Sequence, residues 1–111
     1  MEAKAIAKGV RISPRKVRLS IDLIRGKSVD EADVILAHLN RDAAKAIRKV
    51  LLSATANAVN NLELNREDLY VKEAYVNDGK TLKRGRAAAK GSPHPILKRS
   101  CHITVVVSDE N

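Results

Sequence analysis

The sequence has no tryptophan and no phenylalanine, and Tyr70 and Tyr75 are its only aromatic residues. Its core must therefore be built from Ala, Val, Ile and Leu, which favours close helix packing over a deep ligand pocket. A single cysteine, Cys101, excludes an intramolecular disulfide and points to a reducing compartment. The opening MEAKAIAKG has no apolar run long enough for a signal peptide or a membrane span, so a soluble protein is expected. No internal repeat or low-complexity tract is present. At 111 residues the chain suits one domain, 1–111, with one hydrophobic core.

What the sequence does have is positive charge, unevenly placed. The formal net charge is +8. Residues 1–27 hold eight Lys/Arg against Glu2 and Asp22, and residues 80–102 hold seven with no acid. Residues 28–79 are acidic on balance, with six bases against nine acids. Such segregation suggests a surface facing a polyanion, backed by an ordinary one. Clustered cations also attract anionic lipid, but segment 80–102 offers no continuous amphipathic helix to insert.

Residues 3–12 alternate weakly and read as a strand. Ser13-Pro14 then starts a helix, with Ser capping free amides and Pro in the first helical position. This helix is expected over 14–25 and mostly buried, with Arg15, Arg18, Asp22 and Arg25 on one charged edge and Gly26 as its left-handed stop. Asp30, Glu31 and Asp33 mark the first turn of a second helix running to about Leu39. A third runs from Asp42 to about Asn60, with Ala43, Ile47, Val50, Leu51, Ala54 and Ala58 on its apolar face and Lys45, Arg48 and Lys49 opposite. Residues 69–76 and the β-branched run ITVVV at 103–107 read as strands. The expected class is α+β: three helices on a small three-stranded antiparallel sheet.

Between those strands, residues 77–102 are hydrophilic, rich in turn formers and without a core-facing period. They form a long loop or a hairpin. In a hairpin each arm would hold roughly eleven residues and reach about 35 Å, further than so small a body could cover, so a partner would be needed to order it. Lys80, Lys83, Arg84, Arg86, Lys90, Lys98 and Arg99 stand there among small residues that let a backbone approach phosphate closely. A solvated charge run is the plain alternative, but the absence of any balancing acid favours RNA. Without interleaved aromatics, phosphate and shape contacts should dominate over base stacking. In the N-terminal cluster Lys8, Arg11, Arg15 and Lys16 lack a local acid and are RNA candidates, whereas Arg18 and Arg25 are spaced to pair with Asp22.

No catalytic constellation or metal-ligand spacing is visible, and no cofactor is expected. His38, His94 and His102 are scattered, and Cys101 is in phase with Ile103, Val105 and Val107 as a buried residue. Two other readings stay open: a dimeric helix-turn-helix DNA regulator, whose weakness is that the basic segment lies off the recognition helix, and an RNA-processing enzyme.

Four segments, MEAKAIAKGVRISPRKVRLSIDLIRGKS, KVLLSATANAVNN, LYVKEAYVNDG and LKRSCHITVVVSD, closely resemble, in order and spacing, those of the bacterial-type large-subunit ribosomal protein L twenty-two family. The resemblance covers nearly the whole chain. It implies a non-enzymatic α+β body bound to large-subunit ribosomal RNA, a monomer beside neighbouring ribosomal proteins in a cytoplasmic ribosome. It also implies a long protruding β-hairpin at about residues 77–101, whose tip lines the nascent-peptide exit tunnel. The nascent peptide and macrolide antibiotics would be partners there, with the matching positions beginning at Lys83 and Arg84. The chain departs from the family pattern at Lys80, where proline is usual, at Gly85, where a bulky apolar residue is usual, and at Ala87 and Ala88, where Pro-Arg is usual. These changes loosen the backbone and remove one fixed cation.

Overall fold

The computed structural model describes residues 1–79, 82–87 and 93–110, with the backbone alone described for 82–87 and 93–98. In chain order the elements are β1 (Glu2–Val10), α1 (Pro14–Ile21), α2 (Val29–His38), α3 (Asp42–Asn61), a 3-10 turn (Arg66–Asp68), β2 (Tyr70–Asp78), β3 (Leu82–Ala87), β4 (Pro93–Lys98) and β5 (Cys101–Ser108). β1, β5 and β2 form an antiparallel sheet in that order, so the α+β class expected from the pattern is the one observed. β3 and β4 pair separately, from Leu82 opposite Lys98 to Ala87 opposite Pro93.

The ITVVV run becomes the central strand because it can be buried on both faces. Cys101, Ile103, Val105 and Val107 are fully covered on the helix side, with Cys101 serving as a small apolar residue, and Thr104 and Val106 are nearly covered on the other. In α3, Ile47, Leu51, Ala54 and Ala58 are fully buried, and the adjoining positions of β1 are Ala3, Ala5 and Ala7, so helix and strand can approach closely. Each fully buried Ile or Leu of this layer contributes about 1.5–3 kcal/mol. Buried Thr55 satisfies its hydroxyl within α3 by donating to the Leu51 carbonyl at 2.8 Å. Ser28 caps α2, its hydroxyl accepting from the Glu31 amide at 3.2 Å.

α1 differs from its sequence reading. It ends at Ile21 rather than near residue 25, and its burial is one-sided: Leu19 is 61% exposed and Leu23 45%. Ser13 contributes its backbone carbonyl, which accepts from the Lys16 and Val17 amides, and makes no side-chain cap. The early ending follows from tertiary pairing. Leu23 and Ile24 bond back three residues, Gly26 adopts φ +76°, and the chain drops onto the outer edge of β2. There the Gly26 amide donates to the Val71 carbonyl at 3.0 Å, the Val71 amide to Lys27 at 2.8 Å, and the Val29 amide to Leu69 at 3.1 Å. A helix continued to residue 25 would forfeit those bonds.

The exposed edges of the sheet are also closed by side chains. Arg25 donates to the Ala74 carbonyl at 2.7 Å and Arg18 to the Val76 carbonyl at 3.2 Å, both on β2. On β1, Asn57 of α3 donates to the Lys4 carbonyl at 3.2 Å. Unpaired strand edges invite pairing with other chains, so these contacts protect the sheet as well as anchoring the helices. Where β2 and β5 end, the Gly79 amide donates to the Ser100 carbonyl at 2.9 Å. A Cβ at Gly79 would lie 2.5 Å from the Ser100 hydroxyl oxygen and 3.1 Å from the Ser100 carbonyl carbon, so a larger residue here would oblige Ser100 to shift.

Candidate nucleic-acid interface

The fold sorts the cations into two groups. Arg18 pairs with Asp78 at 3.1 Å, Arg48 with Asp33 at 2.7 Å and Arg66 with Asp30 at 2.9 Å, while Arg25 pairs with Asp22 and Lys72 with Glu2. The Lys72 ammonium is held above its usual pKa chiefly by the hydrogen bond to Glu2. The local pairing expected for Arg25 with Asp22 is present. Arg18, spaced equally well for Asp22, reaches across to Asp78 instead because its guanidinium is already drawn to the end of β2.

Lys8, Arg11, Arg15, Lys16 and Arg99 form the other group, exposed and without an ion pair among the described residues. Lys8 sits at the end of β1, beside Gly9, whose φ of +67° accompanies a shift in register against β5. That bulge is pinned by the Gly9 amide donating to His102 Nδ1 at 3.0 Å. Arg15 and Lys16 occupy the first turn of α1, where there is no acid. Cations at this positive helix end cost about 0.3–1 kcal/mol each unless an anion is supplied from outside.

All of these but Lys8 are brought together around two adjoining depressions. Arg15, Arg18, Asp78 and Arg99 line one, between the start of α1 and the ends of β2 and β5. Arg11, Lys16, Leu19 and Arg41 line the other, between the β1–α1 connection and the start of α3, and Ser13 is common to both. From Arg41 the surface continues along α3 past Lys45 and Lys49, flanked by Ala7 and Val10 of β1. A basic band therefore runs from Arg99 through Arg15, Arg11, Lys16 and Arg41 to Lys49, with Asp42 the acid in the second depression.

Arg41, Lys45 and Lys49 were not singled out from sequence because residues 28–79 are acidic on balance. The signal was nonetheless present: Lys45 and Lys49 are four residues apart, which aligns them on one side of α3, and Arg41 stands at its N-cap. Like charges at that spacing cost a few tenths of a kcal/mol per pair, so fold stability does not account for the row. Lys80 and Lys90 lie outside the described residues. Lys83, Arg84 and Arg86 are in β3 and Lys98 is in β4, where only backbone pairing is described; His94 is in β4 as well.

Among the described residues no group of three His, Cys, Asp or Glu side chains could hold a metal ion, and no helix is long and apolar enough to cross a membrane. The depressions on the band are open and lined by cations rather than by an acid, base and nucleophile in register. Their lining suits an anion.

Residues 5–108 match the profile of the family described as ribosomal protein L22p/L17e. The chain is 65% identical over 106 residues to the large ribosomal subunit protein uL22 of Ligilactobacillus salivarius, covering 96% of this chain and 92% of that protein. It is 56% identical over 109 residues to the protein of the same name from Staphylococcus haemolyticus, covering 98% of this chain and 93% of the relative.

Proposed function

The chain belongs to the ribosomal protein L22p/L17e family, and on that premise we propose that it binds large-subunit ribosomal RNA through the basic band of its body and through the segment between β2 and β5. It is a structural, non-enzymatic constituent of the large ribosomal subunit, part of the translating ribonucleoprotein in the cytoplasm. The observation that carries the RNA reading is the run of exposed cations from Arg99 to Lys49 that have no ion pair among the described residues, a surface suited to an external polyanion.

In this reading residues 1–111 act as one RNA-binding unit. Lys8, Arg11, Arg15, Lys16 and Arg99 hold phosphates on the body together with Arg41, Lys45 and Lys49. Lys80, Lys83, Arg84, Arg86, Lys90 and Lys98 do so along the extension, which lines the nascent-peptide exit tunnel. There its partners are the nascent chain and macrolide antibiotics, and the body supports subunit assembly beside neighbouring ribosomal proteins. With alanine at positions 87 and 88, the tip presents less fixed charge to the tunnel than is usual in the family.

The test is co-sedimentation of tagged protein with ribosomal subunits across a salt series, repeated with residues 80–99 deleted. Stoichiometric recovery in the large subunit, retained by the deletion at low salt, is expected. Protein absent from that subunit yet bound to one duplex DNA sequence would overturn the reading.

A further inference from the structure

We infer that the sheet face turned away from the helices is a stacking platform for one unpaired RNA base, with Tyr75 supplying the ring. The inference rests on the RNA-binding reading above and adds a mode of recognition that the basic band lacks.

Alternation along the strands places one cross-strand row, Ile6, Thr104 and Tyr75, on this open face. Tyr75 is 40% exposed and Ile6 46%, while Thr104 between them is only 3% exposed, giving two half-exposed side chains flanking a closed floor. The two tyrosines are treated differently by the fold. The Tyr70 hydroxyl is tied to the Glu110 carbonyl, whereas the Tyr75 hydroxyl has no hydrogen bond among the described residues. An exposed ring on a rigid strand loses little freedom when a planar group settles on it, and every base offers such a face.

The next row carries His102 and Asn77. Because His102 Nδ1 accepts from the Gly9 amide, the ring proton of the neutral imidazole resides on Nε2, leaving that nitrogen as a donor for a base edge or a ribose hydroxyl. Lys8 adjoins the same bulge as an exposed cation, so a strand whose phosphate it holds can turn one nucleotide onto the sheet.

The size of the apolar surface decides between an RNA base and a protein partner. Two half-exposed side chains fall far short of the roughly 1,000 Å² that a stable protein interface buries, but they suit a single base.

The experiment measures filter binding of protein-free large-subunit ribosomal RNA to the full chain and to its Tyr75→Ala, Tyr75→Phe and Tyr70→Phe variants. Thermal melts of each free protein and mass-spectrometric mapping of ultraviolet cross-links accompany it. Tyr75→Ala should weaken binding roughly 5-fold to 100-fold with little change in salt slope, while Tyr75→Phe, which keeps the ring, and Tyr70→Phe bind as the parent does. A cross-link from the β2 peptide to one nucleotide should accompany this and be absent from Tyr75→Ala. Salt-sensitive binding that is indifferent to Tyr75, with no such cross-link, would overturn the platform and leave the basic band standing. Failure of every form to bind RNA would overturn both.

Discussion

The flank of the sheet along β2 and the flank along α3 both carry cations on a helix face, yet the fold uses them in opposite ways. On the β2 flank Arg18 and Arg25 turn inward to strand carbonyls and nearby carboxylates, so their charge is spent on holding α1 and closing an edge. On the α3 flank Arg41 at the N-cap and Lys45 and Lys49 on the helix have no such acceptor among the described residues, and the two lysines, four residues apart, repel each other. Residue type does not separate the two cases. What separates them is whether tertiary packing brings an acceptor within reach, and a cation left without one is available to an outside anion.

The largest effect expected from breaking this contrast is on the α3 side. Replacing Arg41, Lys45 and Lys49 together by glutamine should lower affinity for protein-free large-subunit ribosomal RNA about a hundredfold at roughly 0.1 M salt, with the logarithmic salt slope falling by about 2–3. Thermal stability should stay within about 0.5 kcal/mol of the parent or rise slightly as repulsion is relieved. An unchanged slope in a salt titration would place the RNA contact elsewhere.

The β2 side should respond in the reverse sense. Arg25→Ala removes a charged donor from the Ala74 carbonyl and should cost about 1–2 kcal/mol, a fall in melting temperature of roughly 5–10 °C, with the RNA salt slope preserved. Arg18→Ala should cost less, its bond being longer at 3.2 Å and its carboxylate partner exposed. Calorimetry showing both proteins as stable as the parent, with weakened RNA binding, would erase the distinction between the flanks.

The smallest effect sharpens the same flank. Burial pushes the Cys101 thiol above its ordinary value of 9.0, partly offset by the nearby Arg18 charge, while Asp78 adds to the rise. Because the folded-state pKa is the higher one, this contribution to stability is complete below about pH 9 and is lost as pH rises through the folded value. Denaturant titrations from pH 8 to 10 should show a decline in the parent that is shallower in Cys101→Ala. Equal slopes would mean that the thiol is not desolvated in the folded state.

Much of this was legible in the residues. The apolar face of α3 and the buried ITVVV strand follow from periodicity and β-branching, because local pattern and burial agree there. The RNA candidates of the first 27 residues were visible as cations without a nearby acid. Other features were hidden for identifiable reasons. The end of α1 was overrun because Asp22–Arg25 continue a helical pattern, and only the bonds of residues 26–29 to β2 draw the chain away. Arg41, Lys45 and Lys49 were masked by averaging charge over a region whose acids lie largely elsewhere on the surface. Tyr75 read as one more strand residue until register placed it beside Thr104 and Ile6 on an uncovered face.

By itself, then, the sequence determined the main helices and strands of the body, the α+β class and the segregation of positive charge, since these depend on local periodicity and on where charged residues fall along the chain. Only the tertiary structure decided which cations are spent and which are free, where α1 stops, and which aromatic ring faces outward. Each of those depends on partners 15 to 93 positions away in the chain, such as Asp33 for Arg48 and His102 for Gly9, and their proximity is created by folding.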